Sequence, residues 1–147
     1  MTRIERSITI ERPVDEVWRF VHDTTKDVLW QTTLRESEQL TDGAFGVGTQ
    51  VREIRQFLGL RVEVGWEVTE YEPMTRSSIA GISGPVPLSG SYVLEPQNGG
   101  TRFTVLGELD AHGLFRLAEP VFARLTSREL EANLGHLKDV LEAEAAS

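Results

Sequence analysis

The chain has 147 residues, no cysteine and a formal net charge of −8 at pH 7. That length suits one domain, 1–147, large enough for its own core, and the missing cysteines exclude disulfides and thiol chemistry. The acid excess argues against nucleic acid or a broad anionic surface as partner, because phosphate contacts need a basic face.

Arg3 to Glu11 reads as a strand with Ile4, Ile8 and Ile10 in phase. Pro13 then suits the first turn of a helix, and Val14, Val17, Trp18 and Val21 recur at i, i+3, i+4 and i+7. His22-Asp23-Thr24-Thr25 favours a corner, and Val28, Leu29 and Trp30 form a second short apolar patch. The spacing predicts two short helices with a turn between them.

Leu34 to Leu40 reads as a short edge strand, and the glycines of Thr41 to Gly48 mark a loop. Thr49 to Phe57 is a strand whose two faces both carry charged or amide groups. Leu60 to Pro73 alternates most clearly, with Leu60, Val62, Val64, Trp66 and Val68 on one side. Arg76 to Ser83 is a further strand, followed by the stiff loop Gly84 to Gly90. Leu88, Gly90, Tyr92 and Leu94 share a phase, as do Phe103, Val105, Gly107 and Leu109, with the hairpin signal Gln97 to Gly100 between them.

From Gly113 the period changes to 3.6. Leu130, Leu134, Leu137 and Leu141 make one helical stripe. Leu114, Leu117, Val121 and Leu125 make an earlier one, and Pro120 predicts that the helix starts near it or kinks there. Strands joined by short turns imply an antiparallel sheet with one covered face, and the terminal helix is the element large enough to cover it. The expectation is an α+β domain. No apolar run spans a bilayer and none at the start resembles a signal peptide, so a cytoplasmic protein without stable membrane insertion is expected.

This order, together with particular stretches, resembles the START-like superfamily, and within it the bacterial polyketide cyclase/dehydrase and lipid-transport proteins. The stretches are Ile8 to Asp23, Trp30, Gly46 to Val51, Glu67 to Pro73, Gly90 to Val105 and Leu134 to Glu142. The resemblance implies a helix-grip fold: a curved seven-stranded antiparallel sheet wrapped around a long C-terminal helix, with two short helices after the first strand. It also implies a cavity between sheet and helix, closed at one end by the short helices. Members bind hydrophobic or amphipathic small molecules, and some cyclise or dehydrate polyketides, while others carry lipids or quinones or regulate proteins.

Trp30, Phe57, Trp66, Tyr92, Phe103, Val105, Phe115 and Phe122 fall on elements that would line such a cavity, although aromatic residues at these spacings also fill cores. Trp30 is expected at the cavity rim as a ligand contact or plug, and Trp66 as a wall residue or filler. On the strand Thr49 to Phe57, the face with Val51, Glu53, Arg55 and Phe57 and the face with Gln50, Arg52, Ile54 and Gln56 remain alternatives. A desolvated Glu53 beside Arg55 would have a raised pKa and could serve as a base.

His22 with Asp23 and Asp27 reads as a solvated corner, His112 as a surface residue near one mouth with an acid–base role as the alternative, and His136 as the flank of the helix stripe. None has the spacing of a metal site, and no nucleophile motif is present. Neither a cofactor nor a metal is expected, and no catalytic residue is assigned. Binding of a hydrophobic small molecule (a lipid, quinone or aromatic polyketide) is the leading expectation. A cyclase or dehydratase using the same cavity and an interaction module with a filled cavity are the alternatives, and monomer and homodimer are both open.

Overall fold

The computed structural model describes residues 2–57, 59–84, 88–109 and 115–146. Seven antiparallel strands form one sheet: β1 (Thr2–Ile10), β2 (Leu34–Gln39), β3 (Gln50–Phe57), β4 (Leu60–Glu72), β5 (Arg76–Ser83), β6 (Leu88–Gln97) and β7 (Gly100–Leu109). Their order across the sheet is β1-β7-β6-β5-β4-β3-β2. Strands β2 to β7 are a meander, and β1 closes the far side by pairing with β7. Among the described residues the α-helices are α1 (Val14–Val21) and the long α2 (Phe115–Ala146).

This order explains the broken helix. The chain leaves β1 at one edge of the sheet and must reach β2 at the other, so it crosses the open end. Helix α1 makes the first part of that crossing, entered through Pro13, and Asp23 then accepts from the Thr25 amide and hydroxyl (3.0 and 2.6 Å) to set the corner. The second expected helix is only one 3-10 turn, Asp27–Leu29. A chain with that little distance left to cover needs no longer helix.

The hairpin signal holds: Asn98 and Gly99 both take positive φ (50° and 83°), the paired conformation that matches strand twist. Two register shifts in β4, at Gly65/Trp66 and Val68/Glu70, bend the sheet around α2. Gly100 starts β7 directly beneath β1, where an added Cβ would lie 2.6 Å from the Ile10 carbonyl oxygen. Gly100→Ala is therefore expected to lower stability by roughly 1–3 kcal/mol through forced backbone shift. Urea unfolding measures this, and an unchanged midpoint would mean that the strands part freely there.

Helix α2 starts at Phe115 and runs through Pro120 without stopping. Its second half packs a closed core: Leu134, Leu137 and Leu141 meet Val17, Trp18, Phe20 and Val21 of α1, together with Ile10, Leu94 and Phe103. Its first half behaves differently. Leu117 and Val121, expected in a buried stripe, are 85% and 62% exposed. The helix turns there present Thr126, Glu129, Leu130 and Asn133 to the sheet instead, and these side chains roof a cavity rather than fill a core.

Candidate functional site: a two-toned cavity under the terminal helix

The cavity holds about 400 Å³ between the concave face of the sheet and the first half of α2. Most of its wall is apolar. Val62, Val64, Trp66 and Val68 of β4, Ile79 of β5 and Val105 and Leu109 of β7 contribute, as the strand alternation predicts. Phe45 folds in from the glycine-rich loop, its ring centre 6.2 Å from Trp66 in an edge-to-face arrangement and 5.8 Å from Tyr71. Its position was not legible, because a lone aromatic among loop glycines carries no period.

One end of the cavity is polar. The inward face of β3 is the one with Glu53 and Arg55. Arg55 donates from Nε and Nη2 to Glu53 Oε1 (3.1 and 2.9 Å), from Nη2 to Gln31 Oε1 (2.6 Å) and from Nη1 to Thr33 Oγ1 (3.2 Å). Thr33 in turn donates to Glu129 Oε1 (2.5 Å), which also lies 3.8 Å from Arg55 Nη1. Asn133 Oδ1 ties the same region together by accepting from the Thr32 amide at 3.0 Å. Burial alone would lower the Arg55 pKa, but the charge and hydrogen bonds of Glu53, with Glu129 behind it, raise it instead.

Asp27 stands at the edge of this network and is not the solvated residue its turn-like context suggests. Only 5% of it is exposed. Burial first, then the neighbouring Glu53 charge, push its carboxyl up to about 8, against the opposing pull of Arg55 and the Trp30 indole. At neutral pH it is a carboxylic acid, a proton donor facing the cavity. Its Oδ1 and the Trp30 Nε1 are both buried without a well-formed hydrogen bond.

His22 is likewise no solvated corner. As the C-cap of α1 it has Nδ1 2.8 Å from the Trp18 carbonyl oxygen and Nε2 2.7 Å from Ser77 Oγ. A carbonyl only accepts, so Nδ1 carries the proton and, in the neutral ring, Nε2 accepts from the serine hydroxyl. Rings of Trp18, Phe45, Tyr71 and Tyr92 surround it at 4.0 to 5.8 Å. Burial lowers its pKa to about 4, against the raising effect of the Trp18 bond. The pair links α1 to β5 at the cavity wall.

Of the residues singled out from the sequence, Glu53, Trp66, Tyr92 and Val105 border the cavity. Burial first, then the charges of Asp27 and Glu53, hold the Tyr92 phenol far above its usual range, so it is a neutral donor. Trp30 is not at the rim. It is 2% exposed and packs inward, its ring centre 6.3 Å from Tyr92 and 6.4 Å from Phe103, because the 3-10 turn ends with the indole directed into the core. Phe103 and Val51 are completely buried and do not border the cavity: Phe103 belongs to the core around α1, and Val51 lies on β3 opposite Trp66 in the strand register. The side chains of Phe57, Phe115 and Phe122, with His112 and the middle of the Gly84 to Gly90 loop, lie outside the described residues.

Gln31, Thr33, Glu129 and Asn133 were not anticipated. The two helix residues flank an apolar stripe, where polar side chains ordinarily face water. Among the described residues no group of three or more His, Cys, Asp and Glu side chains is placed to hold a metal. No described helix is long and apolar enough to cross a membrane.

Solved structures share this architecture. The TTHA0849 protein of Thermus thermophilus superposes with a TM-score of 0.84 at 20% identity, over 99% of this chain and 100% of the other. A START superfamily protein from Mycobacterium smegmatis gives 0.80 at 14% identity, over 96% and 97%. The di-domain ARO/CYC BexL from the BE-7585A biosynthetic pathway gives 0.78 at 21% identity, over 97% of this chain and 47% of that one. At these identities the likeness is one of fold. No curated protein matches the sequence. Residues 1–142 match the family described as polyketide cyclase / dehydrase and lipid transport, and with nearly the whole length covered, the chain belongs to that family.

Proposed function

We propose that the protein binds one mostly apolar small molecule in this cavity, with an oxygen-bearing end of the ligand seated against the Asp27, Glu53, Arg55 and Tyr92 cluster. The observation that carries the reading is a wall that is mostly apolar, through Val62, Val64, Trp66, Val68, Ile79, Val105 and Leu109, with the charged groups Glu53, Arg55 and Glu129 gathered at the β3 end. A volume of about 400 Å³ falls within the range of small-molecule sites. Apolar area supplies affinity there, and the few polar groups fix orientation. Neutral Asp27 and Tyr92 offer hydrogens to a carbonyl or phenol oxygen, and Glu53 offers an acceptor.

Native mass spectrometry of the purified protein, followed by extraction and identification of any retained molecule, tests this. Retention of an amphipathic compound, or a saturable thermal shift with lipids, quinones or aromatic polyketides, is the expected result. Neither retention nor any shift across those three classes would end the proposal.

A second reading is favoured by one feature. The polar end sets Asp27, a carboxylic acid that keeps its proton, near Glu53, whose carboxyl accepts two hydrogen bonds from Arg55, and a proton donor beside a second carboxyl can divide acid and base work. The ligand would then be a substrate for cyclisation or dehydration. Glu53→Gln that binds the retained molecule as before, yet turns over a polyketide-like substrate far more slowly, is the expected outcome. Equal turnover would remove the base.

A further inference from the structure

The outward face of the first half of α2 differs from the rest of the surface. Leu117 and Val121 stand exposed at i, i+4, and Arg124 and Arg128 follow on the same face, again at i, i+4. With 3.6 residues per turn the four fall within a strip roughly 60° wide. A like-charge i, i+4 pair weakens a helix. Acidic residues outnumber basic ones 23 to 15, so a carboxylate beside either arginine would be easy to place. Yet neither makes an ion pair among the described residues.

Across an open groove of about 480 Å³, β1 adds Arg3 and Arg6. Arg6 is paired with Glu131 at 2.9 Å. Arg3 lies opposite Glu108 in the strand register and forms no ion pair with it. The inward face of the same helical turns roofs the ligand cavity, and Ile4 borders both the groove and the cavity.

We propose that this face docks reversibly on an anionic lipid surface, with Leu117 and Val121 entering the headgroup boundary and Arg124, Arg128 and Arg3 meeting lipid phosphates. A bilayer interface is both apolar and anionic, and exposed aliphatics followed by arginines on one helix face complement both properties. An acidic protein surface would match the arginines alone. The guanidinium fork also suits phosphate oxygens better than an ammonium does. The overall charge of −8 does not forbid the contact, because at physiological ionic strength fields are screened within about 8 Å and the local strip decides. Docked this way, the protein sets the roof of its cavity against the medium in which an apolar ligand dissolves.

The test is co-sedimentation of the 147-residue protein with phosphatidylcholine vesicles containing phosphatidylglycerol. Association is expected that weakens as salt is raised and is absent with phosphatidylcholine alone. It should be at least about tenfold weaker in Arg124→Gln/Arg128→Gln, since each basic residue near the surface matters separately. Leu117→Ser/Val121→Ser should weaken it as well. All four positions are on the helix surface, and circular dichroism with an unchanged urea midpoint confirms that both variants fold. The proposal does not depend on what the cavity holds, so an empty cavity leaves it standing. No association at low salt would overturn it, as would variants that bind as well as the parent. A dimer at sedimentation equilibrium that Leu117→Ser/Val121→Ser splits into monomers would also overturn it, by assigning the face to a second copy.

Discussion

Arg55→Met is expected to lower stability by roughly 3–5 kcal/mol, the usual penalty for leaving a buried charge without its partner. The reason lies in what Arg55 serves. It supplies two hydrogen bonds to Glu53, whose side chain is 5% exposed, and one each to Gln31 and Thr33, while Glu129 sits within 3.8 Å. Methionine fills similar volume and satisfies none of them. Glu53 and Glu129 would then face the cavity together, beside Asp27, with no cation among them.

The double variant Glu53→Gln/Arg55→Met tests that account. It removes the stranded charge along with the cation, so it should recover a large part of the loss. Urea unfolding with an unchanged m-value is the measurement. A double variant as unstable as the single one would mean that Arg55 acts through packing of its stem and not through charge.

Asp27→Asn should act in the opposite direction. The folded carboxyl titrates near 8 and the unfolded one near 3.8. A folded pKa above the unfolded value means that an acid destabilises the fold once the unfolded chain ionises, starting near pH 4 and growing until pH 8. At pH 7 the difference covers about 3 units, or at most about 4 kcal/mol. Asparagine has the same shape and no charge. The variant should therefore be more stable than the parent at pH 7, still more so at pH 9, and no different below about pH 4. Thermal unfolding at those three pH values reads this directly, and a gain independent of pH would refute the buried-acid account. Strain of this kind is characteristic of sites kept for chemistry or recognition. The amide still offers hydrogens to a ligand oxygen, so ligand retention should survive the added stability.

The strands were legible because their faces differ. Alternation along β4 separates wall from solvent between Val62 and Val68, although Leu60, in the same phase, stands exposed at the start of the strand, and Asn98-Gly99 can adopt the positive φ angles of a tight hairpin where most pairs cannot. The inward charges of β3 were visible for the related reason that both its faces carry polar groups, although periodicity could not say which face turned in.

Asp27 and His22 were misread because their neighbours, Asp23, Thr24 and Thr25, do form a corner. What buries Asp27 and His22 is the return of β3, β5 and Tyr92 from far along the chain, a tertiary fact that no local pattern records. Leu117 and Val121 failed differently. A helical stripe shows that residues share a face, but not how far along the helix a partner extends to cover it. Trp30 was placed at the rim because it follows a break, yet the direction of one indole is decided by a single 3-10 turn.

The edges of the sheet bear on how the protein behaves when concentrated. A strand edge is a template on which another chain can add. At β1 that template is occupied by the protein itself: Lys138 of α2 donates to the Thr9 carbonyl at 2.8 Å and Arg6 reaches Glu131. At β2, Arg35, Glu36 and Glu38 are all exposed within a strand of six residues. A second copy pairing there would have to press these charges against its own. Each edge thus discourages growth of the sheet, one by being covered and the other by its charge, and together they keep a curled and otherwise open sheet from lengthening into a fibre.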